Sequence, residues 1–365
     1  MAMMRLSEAA AMLEVPFSGA DADVLRVSTD SRTIQPGDLF IALRGDKFDG
    51  GAFAAQALRQ GAAGVVLDRS QAPEITTAIR VDDTRLALGR LAAAWRQRFD
   101  MPVVAITGSN GKTTVKEMLA AILRGHAGAD AVLATAGNFN NDIGMPLTLL
   151  RLTPAHRYAV LEMGMNHAGE LDYLSRLAEP DVALVNNALR AHLEGLGSVE
   201  AVARAKGEIY AGLKPDGIAL VNVDDPHAPL WRGLAGARRV LTFGLGEADV
   251  RGECRLLDDG AELTLTTPSG RVDTRLAVPG LHNVRNAVAA AAAGHALGVP
   301  DAAIGAGLAA FAGVKGRLQA HPCILGARLI DDTYNANPDS VAAAVAVLAA
   351  QPGTRILVLG DMGEL

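Results

Sequence analysis

The stretch Val103-Val104-Ala105-Ile106-Thr107-Gly108-Ser109-Asn110-Gly111-Lys112-Thr113-Thr114 decides the fold. Its four apolar residues, three of them β-branched, suit a buried parallel strand. The two glycines then permit a turn tight enough to aim backbone N–H groups at an anion. Gly108, Ser109, Asn110 and Gly111 would form the cradle, Lys112 adds a point charge, Thr113 a hydroxyl suited to Mg²⁺, and Thr114 follows it. Val115 to Leu123 continues as an apolar-periodic helix whose N-terminal partial charge faces the same phosphates. The usual spacing G-x-x-x-x-G-K-[ST] is not met, because Ile106 stands five before Gly111; the loop is a shortened relative of that pattern. A plain Gly-Ser-Asn-Gly turn followed by a lysine is the competing interpretation.

Working outward, 365 residues exceed what one hydrophobic core organises, so two or three domains are expected. Half the residues are hydrophobic (50%), yet the apolar runs are broken by Gly, Asp or Arg well short of the ~20 residues of a membrane span. Met1 to Glu14 reads as an amphipathic helix rather than a signal peptide, and a cytoplasmic protein is expected. Cys254 and Cys323 are too few for a disulfide framework and stand in no metal-type spacing. A net charge of −6 with no Lys/Arg block argues against nucleic-acid binding.

Residues 1–100 read as a small α/β domain, with strands at Val24 to Val27, Asp38 to Leu43 and Gly64 to Leu67 and a helix from Ala52 to Gln60. Ser31 sits in Ser28-Thr29-Asp30-Ser31-Arg32, which offers hydroxyls and a guanidinium to a phosphate or sugar, or forms a turn capped by Asp and Ser. Residues 101–313 alternate strand and helix, the pattern of a doubly wound, mostly parallel sheet, where ligands lie at the strands' C-terminal ends. Polar clusters follow those ends. One is the amide loop Asn138-Phe139-Asn140-Asn141-Asp142-Ile143-Gly144, suited to a polar ligand or to turns. Another is Glu162, which closes an apolar strand one over from the phosphate loop, either holding the Mg²⁺ that Thr113 shares or capping a helix. His192 lies beyond the strand Val182 to Val185, as a ligand or as a structural histidine. Lys206 stands among alanines on a helix, where composition gives it no special role. Leu263 to Leu276 reads as a hairpin about Pro268-Ser269-Gly270, and the Ala-rich helix carrying Asn286 as structural. Gly313 and Gly316 mark a hinge bearing Arg317. Residues 314–365 begin a third unit: strand Arg328 to Asp331, Asp332 in the following loop, a helix to Ala350 and a strand Ile356 to Leu359. Roughly fifty residues is short of the ~100 of an independent α/β domain, so this C-terminal Rossmann-like domain reads as incomplete, and such a chain is expected to be folded but inactive.

Six motifs in one order carry a resemblance: Thr107 to Thr114, Asn138 to Leu147, Glu162 to Asn166, Ala191 to Glu194, Ala205 to Glu208 and Asp332 to Pro338. The chain resembles the Mur ligases, ATP-dependent amide-forming enzymes, and within them the member that adds D-alanyl-D-alanine to UDP-N-acetylmuramoyl-tripeptide. The resemblance implies a three-domain α/β architecture: a UDP-sugar-binding first domain, a central P-loop ATP-binding domain and a Rossmann-like third domain closing over ATP. It implies that Ser31 lies at the uridine diphosphate end and that Asn140 and Asn141 contact the substrate. Lys112 and Thr113 would grip the terminal phosphates and a first Mg²⁺, with Glu162 completing its shell and His192 holding a second. Lys206 matches the lysine that the family carbamylates; Asn286, Arg317 and Asp332 match positions that embrace ATP, Arg317 arriving on closure. A monomer without nucleic-acid or membrane partners is expected. Gly51 stands where a larger polar residue is expected in the first domain. The competing classes are a P-loop ATPase or nucleotide-binding module, and a ligase adding a single amino acid.

Overall fold

A computed structural model describes residues 2–45, 48–72, 74–75 and 78–362. The chain divides into two compact units, one of residues 1–100 with 136–154, the other of 101–135 with 155–365. One division falls after Asp100. The amide loop, however, goes with the first unit rather than with the sheet that precedes it, and residues 314–365 are counted with the central sheet.

The first unit holds a parallel sheet of Arg26–Ser28, Asp38–Ile41, Gly64–Asp68 and Ile79–Val81, in that order. Its second strand is buried throughout, as expected of a strand covered on both faces. The N-terminal helix is shorter than the sequence suggests, Leu6–Met12, because Met4–Arg5 pairs with Asp23–Val24 instead. Thr84–Arg96 is capped by Asp83, whose carboxylate accepts from the N–H groups of Arg85 and Leu86. Gly51 has a packing reason: a Cβ there would meet the Gln71 side chain at 2.7 Å. Gln71 in turn donates to Asp49, which also accepts from Gly51 N–H.

Among the described residues the second unit's main sheet has nine strands, in the order Val132–Ala134, Tyr158–Glu162, Val103–Thr107, Val182–Val185, Ile218–Asn222, Arg239–Gly244, Val250–Leu257, Gly260–Thr267 and Gly270–Leu276. Neighbours are parallel as far as Val250–Leu257 and antiparallel beyond, where the expected hairpin forms. Val103–Thr107 is wholly buried and flanked on both sides, and helix Lys112–Ala127 packs its apolar face on Leu281–Ala296 and Asp301–Ala309. Ala287 and Ala289 to Ala293 are fully buried, so their small side chains let two helix backbones approach. Beyond the hinge, Gln319–Pro322 pairs antiparallel with Arg328–Asp331, and Pro338–Ala350 is helical with Asn337 as its cap. Ile356 to Leu359 is not a strand, contrary to its apolar pattern. No strand pairs with it among the described residues, and Ile356 and Val358 are 78% and 87% exposed.

Candidate active site

The parallel register brings the ends of three strands together. Glu162 lies beside Ile106, and Val185 beside Thr107, so the Glu162 carboxylate and the Asn186-Asn187 pair leave the sheet on either side of the phosphate loop. The loop turns at Gly111 with φ +81°, a left-handed conformation that favours glycine, and a Cβ there would lie 2.3 Å from Asn286 Oδ1 and 2.6 Å from Asn186 Nδ2. The helix starts at Lys112, leaving the N–H groups of its first turn without intrahelical acceptors.

Amides form the wall behind the loop. Ser109 N–H donates to Asn187 O, and Asn110 N–H to Asn187 Oδ1 at 2.9 Å. Asn186 Nδ2, on a residue 3% exposed, donates to Asn110 O at 2.9 Å and to Asn286 Oδ1 at 3.0 Å. Ser109 Oγ accepts from Leu189 N–H, and Asp225 accepts from Ala188 N–H, pinning the segment that leads to His192. Asn186, Asn187 and Asp225 escaped sequence reasoning as functional residues, the only signal being paired amides straight after a four-residue apolar strand.

Lys112 folds back over the loop, its ammonium donating to Gly108 O at 2.8 Å and Ser109 O at 3.3 Å. Burial draws its pKa below the usual lysine range, the nearby Glu162 carboxylate opposes that shift, and Arg317 adds to it. Arg317 already stands on the loop: its guanidinium donates to Thr113 Oγ1 at 2.9 Å and lies 4.3 Å over the Tyr334 ring. Asp332 accepts from Leu318 N–H, and burial raises its pKa although Arg317 opposes the rise. Two further contacts tie the third segment to the loop region. Asn337 Nδ2 donates to Asn110 Oδ1 at 2.6 Å, and Arg190 pairs with Asp339 at 2.8 Å.

Lys206 is 1% exposed, and its ammonium has no hydrogen bond or ion pair among the described residues. Burial pushes its pKa well below the lysine range, and the Lys112 charge pushes it further. Composition did not single it out; its environment does. His192 is half-buried at the start of the Leu193–Leu196 turn, with a left-handed φ of 58° that is uncommon outside glycine. Asn140 and Asn141 lie in the first unit with Ser31. Asn141 Oδ1 accepts from Gly144 N–H at a turn, and Arg32 beside Ser31 is held by Asp30 at 2.8 Å.

The donors fit a phosphate-borne Mg²⁺. A threonine hydroxyl at a P-loop helix start and a buried carboxylate on the adjacent strand are hard oxygen ligands, and the Thr107 hydroxyl at the same strand end is buried without a hydrogen-bond partner. Among the described residues no group of three or more His, Cys, Asp or Glu is placed to cage a metal. An ion here would take much of its shell from phosphate and water, as Mg²⁺ at nucleotide sites does.

Phosphate-loop geometry, a mostly parallel sheet and a trailing segment that returns an arginine to the loop define an ATP-handling α/β enzyme. The chain matches the family "Mur ligase middle domain" over residues 106–294, "Mur ligase family, catalytic domain" over 24–96 and "Mur ligase, glutamate ligase domain" over 316–365. It belongs to the Mur ligase family, whose three-domain α/β fold it has. It is 47% identical to the UDP-N-acetylmuramoyl-tripeptide–D-alanyl-D-alanine ligase of Escherichia coli, across 100% of this chain and 80% of that one. A crystal structure of MurF from Acinetobacter baumannii superposes with a TM-score of 0.91 at 40% identity, covering 98% of this chain and 79% of the other. MurF ligase from Thermotoga maritima in complex with ADP gives a TM-score of 0.79 at 29% identity, covering 90% and 75%. No helix among the described residues is long and apolar enough to cross a membrane.

Proposed function

We propose that this chain is the ATP-dependent ligase that joins D-alanyl-D-alanine to UDP-N-acetylmuramoyl-tripeptide, forming the UDP-muramoyl-pentapeptide used in peptidoglycan synthesis. The observation that carries this reading is the convergence of Lys112, Thr113 and Arg317 at one helix start, in a chain 47% identical to the enzyme so named. Its substrates suit a cytoplasmic location. Residues 1–100 would take the UDP-sugar, 101–313 the nucleotide, and 314–365 would belong to the part that closes over it.

A carboxylate is a poor acyl donor because oxide is a poor leaving group. The tripeptide carboxylate attacks the γ-phosphorus of ATP, ADP departs, and an acyl phosphate forms. The amine of the dipeptide then adds to the acyl carbon, the tetrahedral intermediate expels phosphate, and the nitrogen loses a proton. Negative charge builds on oxygens in both steps, and a cation fixed in advance lowers both barriers. Lys112 exchanges its loop carbonyls for phosphate oxygens, and Arg317 moves from the Thr113 hydroxyl onto the transferring group. Two Mg²⁺ ions, one at Thr113 and Glu162 and one at His192, would supply charge neutralisation. Lys206, its pKa lowered by burial, would add its nitrogen to CO₂ with loss of a proton, and the resulting carbamate would offset the Lys112 charge. Asn286 and Asp332 would embrace ATP, Ser31 would lie at the uridine diphosphate end of the sugar nucleotide, and Asn140 and Asn141 would contact the substrate. Exclusion of water protects the acyl phosphate from hydrolysis.

The test is mass spectrometry of the product with competing amines. The reading predicts a gain equal to D-alanyl-D-alanine and no adduct with single amino acids; incorporation of a single amino acid would replace it with the rival ligase activity.

A further inference from the structure

Lys116 lies one turn after Lys112 on the same helix and is 1% exposed, among Val115, Met118, Leu119 and Ala120. A buried ammonium is costly unless its protons are taken up, and a leucine or methionine would fill the space without that cost. Its Nζ donates to the carbonyl of Thr135 at 2.5 Å and pairs with Glu117 at 2.8 Å. Thr135, also 1% exposed, uses all its polar groups: N–H to Val160 O, carbonyl to Lys116, and Oγ1 to the N–H of Glu162 at 3.0 Å. The strand Val132–Ala134 makes its last pair at Ala134 with Val160, so no ladder carbonyl remains for Glu162. The Thr135 hydroxyl takes its place at the strand end that carries the site's carboxylate.

We propose that Lys116 is a positioning residue for the phosphate site, fixing Thr135 so that its hydroxyl holds Glu162 where the carboxylate meets Lys112 and the nucleotide-borne cation. The inference rests on Glu162 being a cation-holding group, as set out above. Lys112 and Lys116 then act on Glu162 from one helix, the first through its charge and the second through the backbone beneath it.

The experiment is calorimetric titration of the full chain with ADP, in saturating Mg²⁺ and in EDTA, the ratio of the two dissociation constants giving the gain due to Mg²⁺. In Lys116→Met and Thr135→Val this gain falls about tenfold or more, the cost of losing a group that orients a metal ligand. Thr135→Ser, which keeps the hydroxyl, retains the wild-type gain, and affinity in EDTA stays within about twofold in all three. Folded Lys116→Met and Thr135→Val proteins with an undiminished gain, or with equal losses in EDTA, overturn the proposal and leave Lys116 a packing residue. If Lys116→Met does not fold, the Thr135→Val and Thr135→Ser pair decides by the same criterion. A wild-type chain whose ADP affinity ignores Mg²⁺ overturns the reading of Glu162, and the proposal with it.

Discussion

Gly111→Ala probes the phosphate loop at its tightest point. At φ +81° an alanine costs about 1–2 kcal/mol from the contact of its Cβ with the following carbonyl. The same Cβ would lie 2.3 Å from Asn286 Oδ1 and 2.6 Å from Asn186 Nδ2, atoms joined to each other at 3.0 Å, so the methyl wedges that hydrogen bond apart. Both amides are buried, at 3% and 5% exposure, and leaving such a pair unmade costs about 1–3 kcal/mol. The loop conformation is therefore disfavoured by about 2–5 kcal/mol, which at 1.4 kcal/mol per decade weakens ADP binding roughly 30-fold or more. Calorimetric titration with ADP and Mg²⁺ measures this, with a thermal melt to establish that the protein remains folded. Binding within about threefold of wild type would refute the reasoning, because it would mean that the loop binds phosphate in another shape.

Three further changes separate the roles of neighbouring groups. Lys206→Met removes a buried amine with no hydrogen bond among the described residues, so the melting temperature holds or rises while turnover falls roughly 10- to 100-fold; wild-type ADP production would remove Lys206 from the site. Arg317→Met lowers kcat about 100-fold or more with ADP affinity nearly kept, since its charge is wanted on the transferring group; a loss confined to KM would make it a ground-state contact. His282 is held neutral in the fold, burial and Arg285 lowering its pKa from 6.5 to about 4. Only the unfolded chain takes up that proton between those values, so stability is lost as pH falls from about 6.5 toward about 4. Melting curves of wild type and His282→Gln across that window check the sign, the variant losing less on acidification.

The phosphate strand, its loop and its helix were legible because they form one contiguous signal: an apolar run, glycines with a defined task, then a lysine and hydroxyls. The parallel sheet and the hairpin at Pro268 were legible for the same local reason. The functional meaning of Lys206 was not, since a lysine among alanines on a helix looks solvated, and only the packing around it reveals a buried amine beside Lys112. Asn186, Asn187 and Lys116 were missed likewise, as their partners Asn110 and Thr135 lie in loops distant in the sequence. The apolar pattern at Ile356 to Leu359 promised a strand, but a strand needs a neighbour to pair with, and periodicity does not supply one. For the amide loop the sequence left a polar ligand and a turn equally open, and in the fold the Asn141 side chain accepts from Gly144 N–H at a turn.

The central claim is that ATP hydrolysis is coupled to joining two peptides. Release of ADP by the full-length protein with ATP and Mg²⁺ tests it directly, with UDP-N-acetylmuramoyl-tripeptide and D-alanyl-D-alanine supplied together, singly or not at all. The account predicts steady release only when both are present. Steady ADP release with neither substrate would contradict it and make the chain an ATPase that uses the same loop for another purpose.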